Sequence, residues 1–213
     1  MSGDPLHLVI HGRAGGEVPA AVRAFAAELA RRRDAPVTLE ALTAGAPPPS
    51  AGPPQSPGSA VTLVPLLLLP GRHVRRDVPE IRRRLSRQGV RVRSLPFLGA
   101  WPAWLNHLQG WVERLRQAGA APLLVHHPLD DRLGERYLAM LGRRLQVPLV
   151  SAGAVGATAV SGSGGTPPGA RTLLPLALAP NRMTAGLASG QCPHLLADCA
   201  SRSFLLAHLA RLP

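Results

Sequence analysis

One strand-and-turn pattern is written twice in this chain. VTLVPLLLLPGRH at 61–73 aligns without a gap to RTLLPLALAPNRM at 171–183, matching Pro65 with Pro175, Pro70 with Pro180 and Arg72 with Arg182. A shorter match, LVIH at 8–11 with LLVH at 123–126, precedes each copy. Such self-similarity predicts an internal duplication with halves at 1–119 and 120–213. Short apolar runs alternate with stretches of helical periodicity, a pattern that calls for parallel strands joined by right-handed crossovers. The expected fold class is α/β, with two similar flavodoxin-like lobes on parallel sheets.

The periodicity predicts helices at Val18 to Arg33, Val78 to Gln88, Trp101 to Gln117, 131–145 and Pro193 to Arg211. Strands are predicted at 6–10, Val37 to Leu42, 61–69, Val90 to Leu95, 122–126, 147–150 and 172–178. In the first helix Val22, Phe25, Ala26 and Leu29 form one apolar stripe, and Arg31 to Arg33 close its C-terminus. Two stretches rich in Pro, Gly, Ser and Ala, 44–60 and 153–170, read as mobile loops.

A run such as Leu63 to Leu69 is far short of the roughly 20 residues that cross a bilayer, and Pro65 and Pro70 interrupt it. The segment MSGDPLHLVIHG has no basic start and enters a strand at once, so neither a signal nor a transit peptide is expected. The expectation is a cytoplasmic protein without a membrane partner. The formal charge of +12 raises nucleic acid as a partner. All 24 cationic side chains are arginine, however, a bias of GC-rich coding, and the scarcity of Phe and Tyr removes the stacking platforms of a single-strand binder. A basic nucleic-acid binder is therefore the least favoured functional class, and no nucleic-acid partner is expected.

Two histidines carry the chemistry. His11 ends LHLVI beside Gly12-Arg13, and His73 follows the apolar run that stops at Pro70-Gly71. Ligands of open α/β sheets collect at the carboxyl ends of strands. Neutral imidazoles there can bind a divalent metal and accept protons near neutral pH. Two imidazoles alone would hold such a metal weakly, as suits an ion that is passed on. Nine of the 24 arginines fall between 72 and 93. Arg82 to Arg84 and Arg87 read as a solvated helix face, whereas Arg72, Arg75 and Arg76 flank His73 where guanidinium forks can grip carboxylates or phosphates. Asp77, ahead of Val78-Pro79-Glu80, reads as a helix N-cap. Cys192, His194 and Cys199 have metal-like spacing, but without a second Cys pair the core is the favoured place for the cysteines. In the second half His126-His127 stands opposite His11-Gly12, while Met183 replaces His73. That half is expected to be a degenerate repeat.

These residues resemble the class II sirohydrochlorin chelatases of the CbiX type. The resemblance is most specific at VPLLLLPGRHVRRDVPEI, similar to that family's strand-turn-helix with H-V-x-R-D-x-P, and LVIHGR is similar to its first-strand H-G-S. It covers roughly 5 to 95 well, and only the strand skeleton from 120 onward. It implies chelatase-like lobes, and insertion of divalent cobalt or iron into sirohydrochlorin for siroheme or cobalamin synthesis. His11 and His73 carry over as metal and catalytic residues, and Arg13, Arg72, Arg75 and Arg76 would bind the substrate's carboxylates. No tightly bound cofactor is implied; the partners are a sirohydrochlorin-type tetrapyrrole and the metal itself. The family's serine is Arg13 here, and its second-strand glutamate falls at Thr43. A non-catalytic tetrapyrrole- or metal-binding relative is the alternative.

Overall fold

The computed structural model describes residues 3–43, 58–129, 131–159, 171–185 and 194–213. Residues 44–57 and 160–170, most of the two predicted loops, lie outside the described residues, as does Cys192. The chain forms two compact units, Met1–Trp101 with Cys199–Pro213, and Pro102–Asp198.

The first unit is built on β1 (Leu6–His11), β2 (Val37–Leu42), β3 (Ala60–Pro65) and β4 (Arg91–Ser94). All pairings are parallel, in the order β2-β1-β3-β4. Two crossover helices, α1 (Ala20–Arg33) and α2 (Val78–Arg87), give the expected alternation. Side chains alternate across each strand, and α2 covers the face that carries Val9, Leu42, Val61 and Leu63. Ile81, Leu85 and Val78 of α2 complete that core. The ladder of β3 ends at Pro65, four residues before the predicted end, where Leu66 N–H donates to Val9 O at 2.8 Å and the chain leaves the sheet.

The second unit begins with α3 (Pro102–Gln117) and continues through β5 (Ala121–His126), α4 (Arg132–Leu145), β6 (Leu149–Ser151), α5 (Ala152–Ala159), β7 (Arg171–Pro175) and α6 (Arg182–Ala185). Its parallel sheet has the order β6-β5-β7, the same as β2-β1-β3. Asp131 caps α4 by accepting from Gly134 N–H at 2.8 Å. Helix α5 occupies the start of the segment expected to be a loop. Four of its eight residues are alanine, the best helix former, and this outweighs its two glycines.

These units do not divide at residue 119. Helix α3 belongs with the second, where Arg144 donates to Asn106 Oδ1 at 2.6 Å and Arg116 reaches the Gln146 carbonyl. The last helix, α7 (Cys199–Ala210), belongs with the first. Arg202 of α7 pairs with Glu28 of α1. Arg33, only 6% exposed, donates to Leu209 O (2.8 Å), Leu212 O (2.7 Å) and Asp4 O (2.7 Å), so one guanidinium ties both ends of the chain to α1. Helix α7 starts at Cys199 rather than at 193, and Cys199 is exposed, not part of the core. No helix among the described residues is long and apolar enough to cross a membrane.

An ionic cluster is buried beneath α2. Glu40 of β2, 3% exposed, accepts from His7 Nε2 at 2.7 Å and from Arg84 Nη2 at 2.5 Å, while His7 Nδ1 lies 2.7 Å from Thr38 Oγ1. Arg84, half-buried, is thus a clasp on the buried Glu40 and not part of a solvated face. Burial pushes the Glu40 carboxyl up, but the His7 and Arg84 hydrogen bonds and charges outweigh it and hold the group below its ordinary value. A carboxyl depressed on folding stabilises the native state above its unfolded pKa, and that contribution is lost as pH falls through the folded value. Glu40→Ala, which strands His7 and Arg84, should lower stability at pH 7 by about 3 kcal/mol. Urea unfolding at pH 7 and at pH 3 checks this: the difference between variant and parent should shrink in acid.

Candidate active site

His11 is the last residue of β1 and is exposed at the carboxyl edge of the first sheet. Its Nδ1–H donates to Gly12 O at 3.0 Å, a bond that puts the lone pair of the neutral ring on Nε2. Gly12 is required by close approach. Its N–H donates to Leu42 O at 3.1 Å, and a Cβ there would lie 2.7 Å from Ala41 Cβ and 3.2 Å from Thr43 Cγ2. The absent side chain lets β1 leave the sheet tight against β2 with His11 projecting.

His73 opens a π-turn, His73–Asp77, that runs directly into α2 and is closed by Val78 N–H donating to His73 O. Its imidazole is 28% exposed, and Nδ1–H donates to Asp77 Oδ2 at 2.5 Å. Asp77 is therefore not the expected N-cap. Its backbone is already helical (φ −76°, ψ −42°) and its side chain makes no cap bond, because the π-turn supplies helical residues ahead of Pro79.

The two rings meet: their centroids are 5.1 Å apart at an interplanar angle of 79°. His11 and His73, 62 residues apart in sequence, share one edge of one sheet.

Arg72, Arg75 and Arg76 are exposed on the same turn as His73, and Arg13 is exposed two residues beyond His11. Arg13 stands 3.8 Å from Glu17, both well solvated, so the pair is weak. Arg83, Arg87, Arg91 and Arg93 do not extend this rim into one surface. Arg83 and Arg87 pair with Glu80 along α2. Arg91 and Arg93 alternate with Val92, which packs toward α2, so they leave β4 on the opposite face.

Thr43, at the family's glutamate position, lies beside Gly12, and its buried hydroxyl has no hydrogen-bond partner among the described residues. Glu40 is held inside by His7 and Arg84. Among the described residues no group of three or more His, Cys, Asp or Glu side chains is arranged to hold a metal. Among those residues no carboxylate joins the two imidazoles in a three-ligand group.

The second unit repeats part of this arrangement. His126 Nδ1–H donates to His127 O at 2.7 Å, as His11 does to Gly12 O. The ladders nevertheless disagree with the ungapped match of LVIH to LLVH. Val9 pairs with Pro65, whereas Val125, not Leu124, pairs with Pro175. By register His127, not His126, stands at the His11 position, and a slip of one residue reverses the face. His127 Nε2 lies 3.5 Å from Asn181 Nδ2, and Asn181 Oδ1 is engaged by Thr184 N–H at 3.0 Å. Burial first, and then the neighbouring His126, lower the His127 pKa. Met183 is buried against Val125 and Ala177. His194 Nδ1–H donates to Leu178 O at 3.0 Å.

The CbiX family model matches residues 5–118, more than half of the chain. The chain belongs to the CbiX family. No curated protein matches its sequence significantly. Two solved structures share its fold. The sirohydrochlorin chelatase SirB from Bacillus subtilis subspecies spizizenii, in complex with cobalt, is 19% identical with a TM-score of 0.62, over 98% of this chain and 95% of that one. CbiX, described as the terminal enzyme for biosynthesis of siroheme in denitrifying bacteria, is 18% identical with a TM-score of 0.60, over 98% and 100%. The family match coincides with the half in which two histidines converge.

Gly12→Ala should strain the β1 exit and displace His11, lowering stability by about 1–3 kcal/mol as overpacking does. Thermal unfolding and cobalt titration of the variant check both effects; unchanged melting would show that β1 and β2 separate freely here.

Proposed function

We propose that this CbiX-family protein is a sirohydrochlorin chelatase that inserts divalent cobalt or iron into the macrocycle. The observation that carries the proposal is the 5.1 Å separation of the His11 and His73 rings. With metal-to-nitrogen distances of about 2.1 Å, one ion serves two imidazoles whose centroids are up to about 6 Å apart. Membership of the CbiX family and folds shared with SirB and CbiX support the same reading.

The reaction exchanges one dication for two pyrrole protons and changes no oxidation state. The dication first sits on the Nε2 atoms of His11 and His73. Two neutral imidazoles bind it without neutralising its charge, so it is released readily to four converging pyrrole nitrogens. As the metal leaves, the vacated imidazole nitrogens accept the displaced protons, which then pass to water from the exposed edge. Arg13, Arg72, Arg75 and Arg76 receive the macrocycle's acidic side chains and orient its face toward the histidines. Imidazole binds cobalt and iron alike, so the donor set is compatible with both. No tightly bound cofactor is needed, and neither a nucleic acid nor a membrane has a part in the reaction.

Thr43 in the glutamate position favours a second reading, a relative that binds metal or tetrapyrrole without turnover. Purified protein mixed with sirohydrochlorin and cobalt(II) or iron(II), followed by absorbance, separates the two. A chelatase gives multiple turnovers, and a binder gives a shift that saturates at one equivalent. His73→Ala should abolish turnover while tetrapyrrole binding survives. Alanine at Arg72, Arg75 or Arg76 should raise KM with little change in kcat, an effect that shrinks as salt screens the carboxylate contact. Parent-like affinity at low salt in all three arginine variants would remove these residues from substrate recognition.

A further inference from the structure

We infer that Asp77 is a positioning residue that holds His73 in the Nδ1–H tautomer and directs its Nε2 lone pair to the metal. The inference rests on the metal-site reading of His11 and His73. Three observations carry it. The first is the 2.5 Å contact between His73 Nδ1 and Asp77 Oδ2. A carboxylate only accepts, so the proton of a neutral His73 lies on Nδ1 and the ring's electron pair lies on Nε2.

The second is the turn itself. His73–Asp77 is a π-turn, a feature that marks functional sites in helical segments more often than chance. It sets His73 and Asp77 four residues apart on backbone continuous with α2, so the carboxylate is carried by a helix packed on the sheet and not by a free loop. The helix is anchored in turn by Val78, Ile81 and Leu85 in the core and by Arg84 on Glu40.

The third is the contrast between the two rings. His11 is oriented by a backbone carbonyl, Gly12 O, whereas His73 is oriented by an anion. Carboxylate–histidine–metal arrangements fix ring orientation and strengthen the imidazole as a donor, and losing the outer carboxylate typically weakens metal affinity or activity 10- to 100-fold. The carboxylate therefore makes His73 a stronger donor than the same ring would be without it.

The test uses the full chain and cobalt(II) alone. NMR of ¹⁵N-labelled histidine reads the tautomer of His73 with neither metal nor tetrapyrrole present, isothermal titration reads cobalt(II) affinity, and thermal melting checks folding. The parent should show Nδ1–H at His73. Asp77→Asn, whose Oδ1 still accepts the proton, should keep that tautomer and bind cobalt(II) less tightly than the parent. Asp77→Ala should shift His73 toward Nε2–H and weaken cobalt(II) binding about 10- to 100-fold. An Asp77→Ala protein that melts lower but keeps the parent's tautomer and cobalt affinity would overturn the inference, leaving Asp77 only a contributor to helix stability. A parent that shows Nδ1–H at His73, lost in Asp77→Ala, yet binds no cobalt(II) would instead overturn the metal-site reading while upholding Asp77's hold on the ring.

Discussion

Parallel pairing of β1 with β3 is the constraint on which the rest of the first unit depends. With Val9 opposite Pro65, both strands deliver their chains to the same edge of the sheet. His11 leaves β1 two residues past Val9 and on the same face, since side chains repeat every second residue. The chain beyond Pro65 stays at that edge until the π-turn begins at His73. An antiparallel partner would have run the other way and put the turn a strand length, roughly 20 Å, from His11. The ring contact is a consequence of strand direction before it is a property of either histidine.

The same face decides where the carboxylates go. His7, Val9 and His11 alternate down one side of β1, opposite Thr38, Glu40 and Leu42. Glu40 is one step inward from the edge and under α2, where burial of a lone charge is expensive, and it is matched there by His7 and Arg84. Its acid is therefore committed to joining β1, β2 and α2. Asp77 is committed to His73. What the edge presents is a pair of imidazoles with arginines beside them.

Much of this was legible in the sequence, and the misreadings have specific causes. Alternation and periodicity located the strands and crossover helices, and the apolar runs ending in His-Gly and Gly-Arg-His identified both histidines because strand ends carry ligands. Asp77 was misread because Asp-Val-Pro-Glu has the composition of a helix start, and a π-turn ahead of Pro79 leaves no signature of its own. Its i, i+4 spacing from His73 was the available signal. Arg84 was hidden in a run of three arginines, although it lies three residues from Ile81 and next to Leu85 on the helix's inward side. His7 went unnoticed beside His11, yet the strand alternation places it on the same face. Boundaries drawn from the repeat at residue 119 follow the order of the elements, whereas the compact units follow contacts such as Arg33 with the C-terminal carbonyls, which no local pattern announces.

The second unit has the strand order of the first without its pair of facing rings. Strand order is retained and a histidine still bonds the next carbonyl, but the ladder sets Val125 against Pro175 and moves the His-His pair by one position relative to His11. In the same register Leu123 and Val150 stand where the first unit has His7 and Glu40. The ionic clasp is thus replaced by apolar side chains, a change that a sheet tolerates without loss of stability. Met183, in place of His73, packs inward on Val125. A sheet tolerates such replacements because its backbone bonds do not depend on which side chains it carries. The proposed metal site does not, because it needs two rings on one face at one edge.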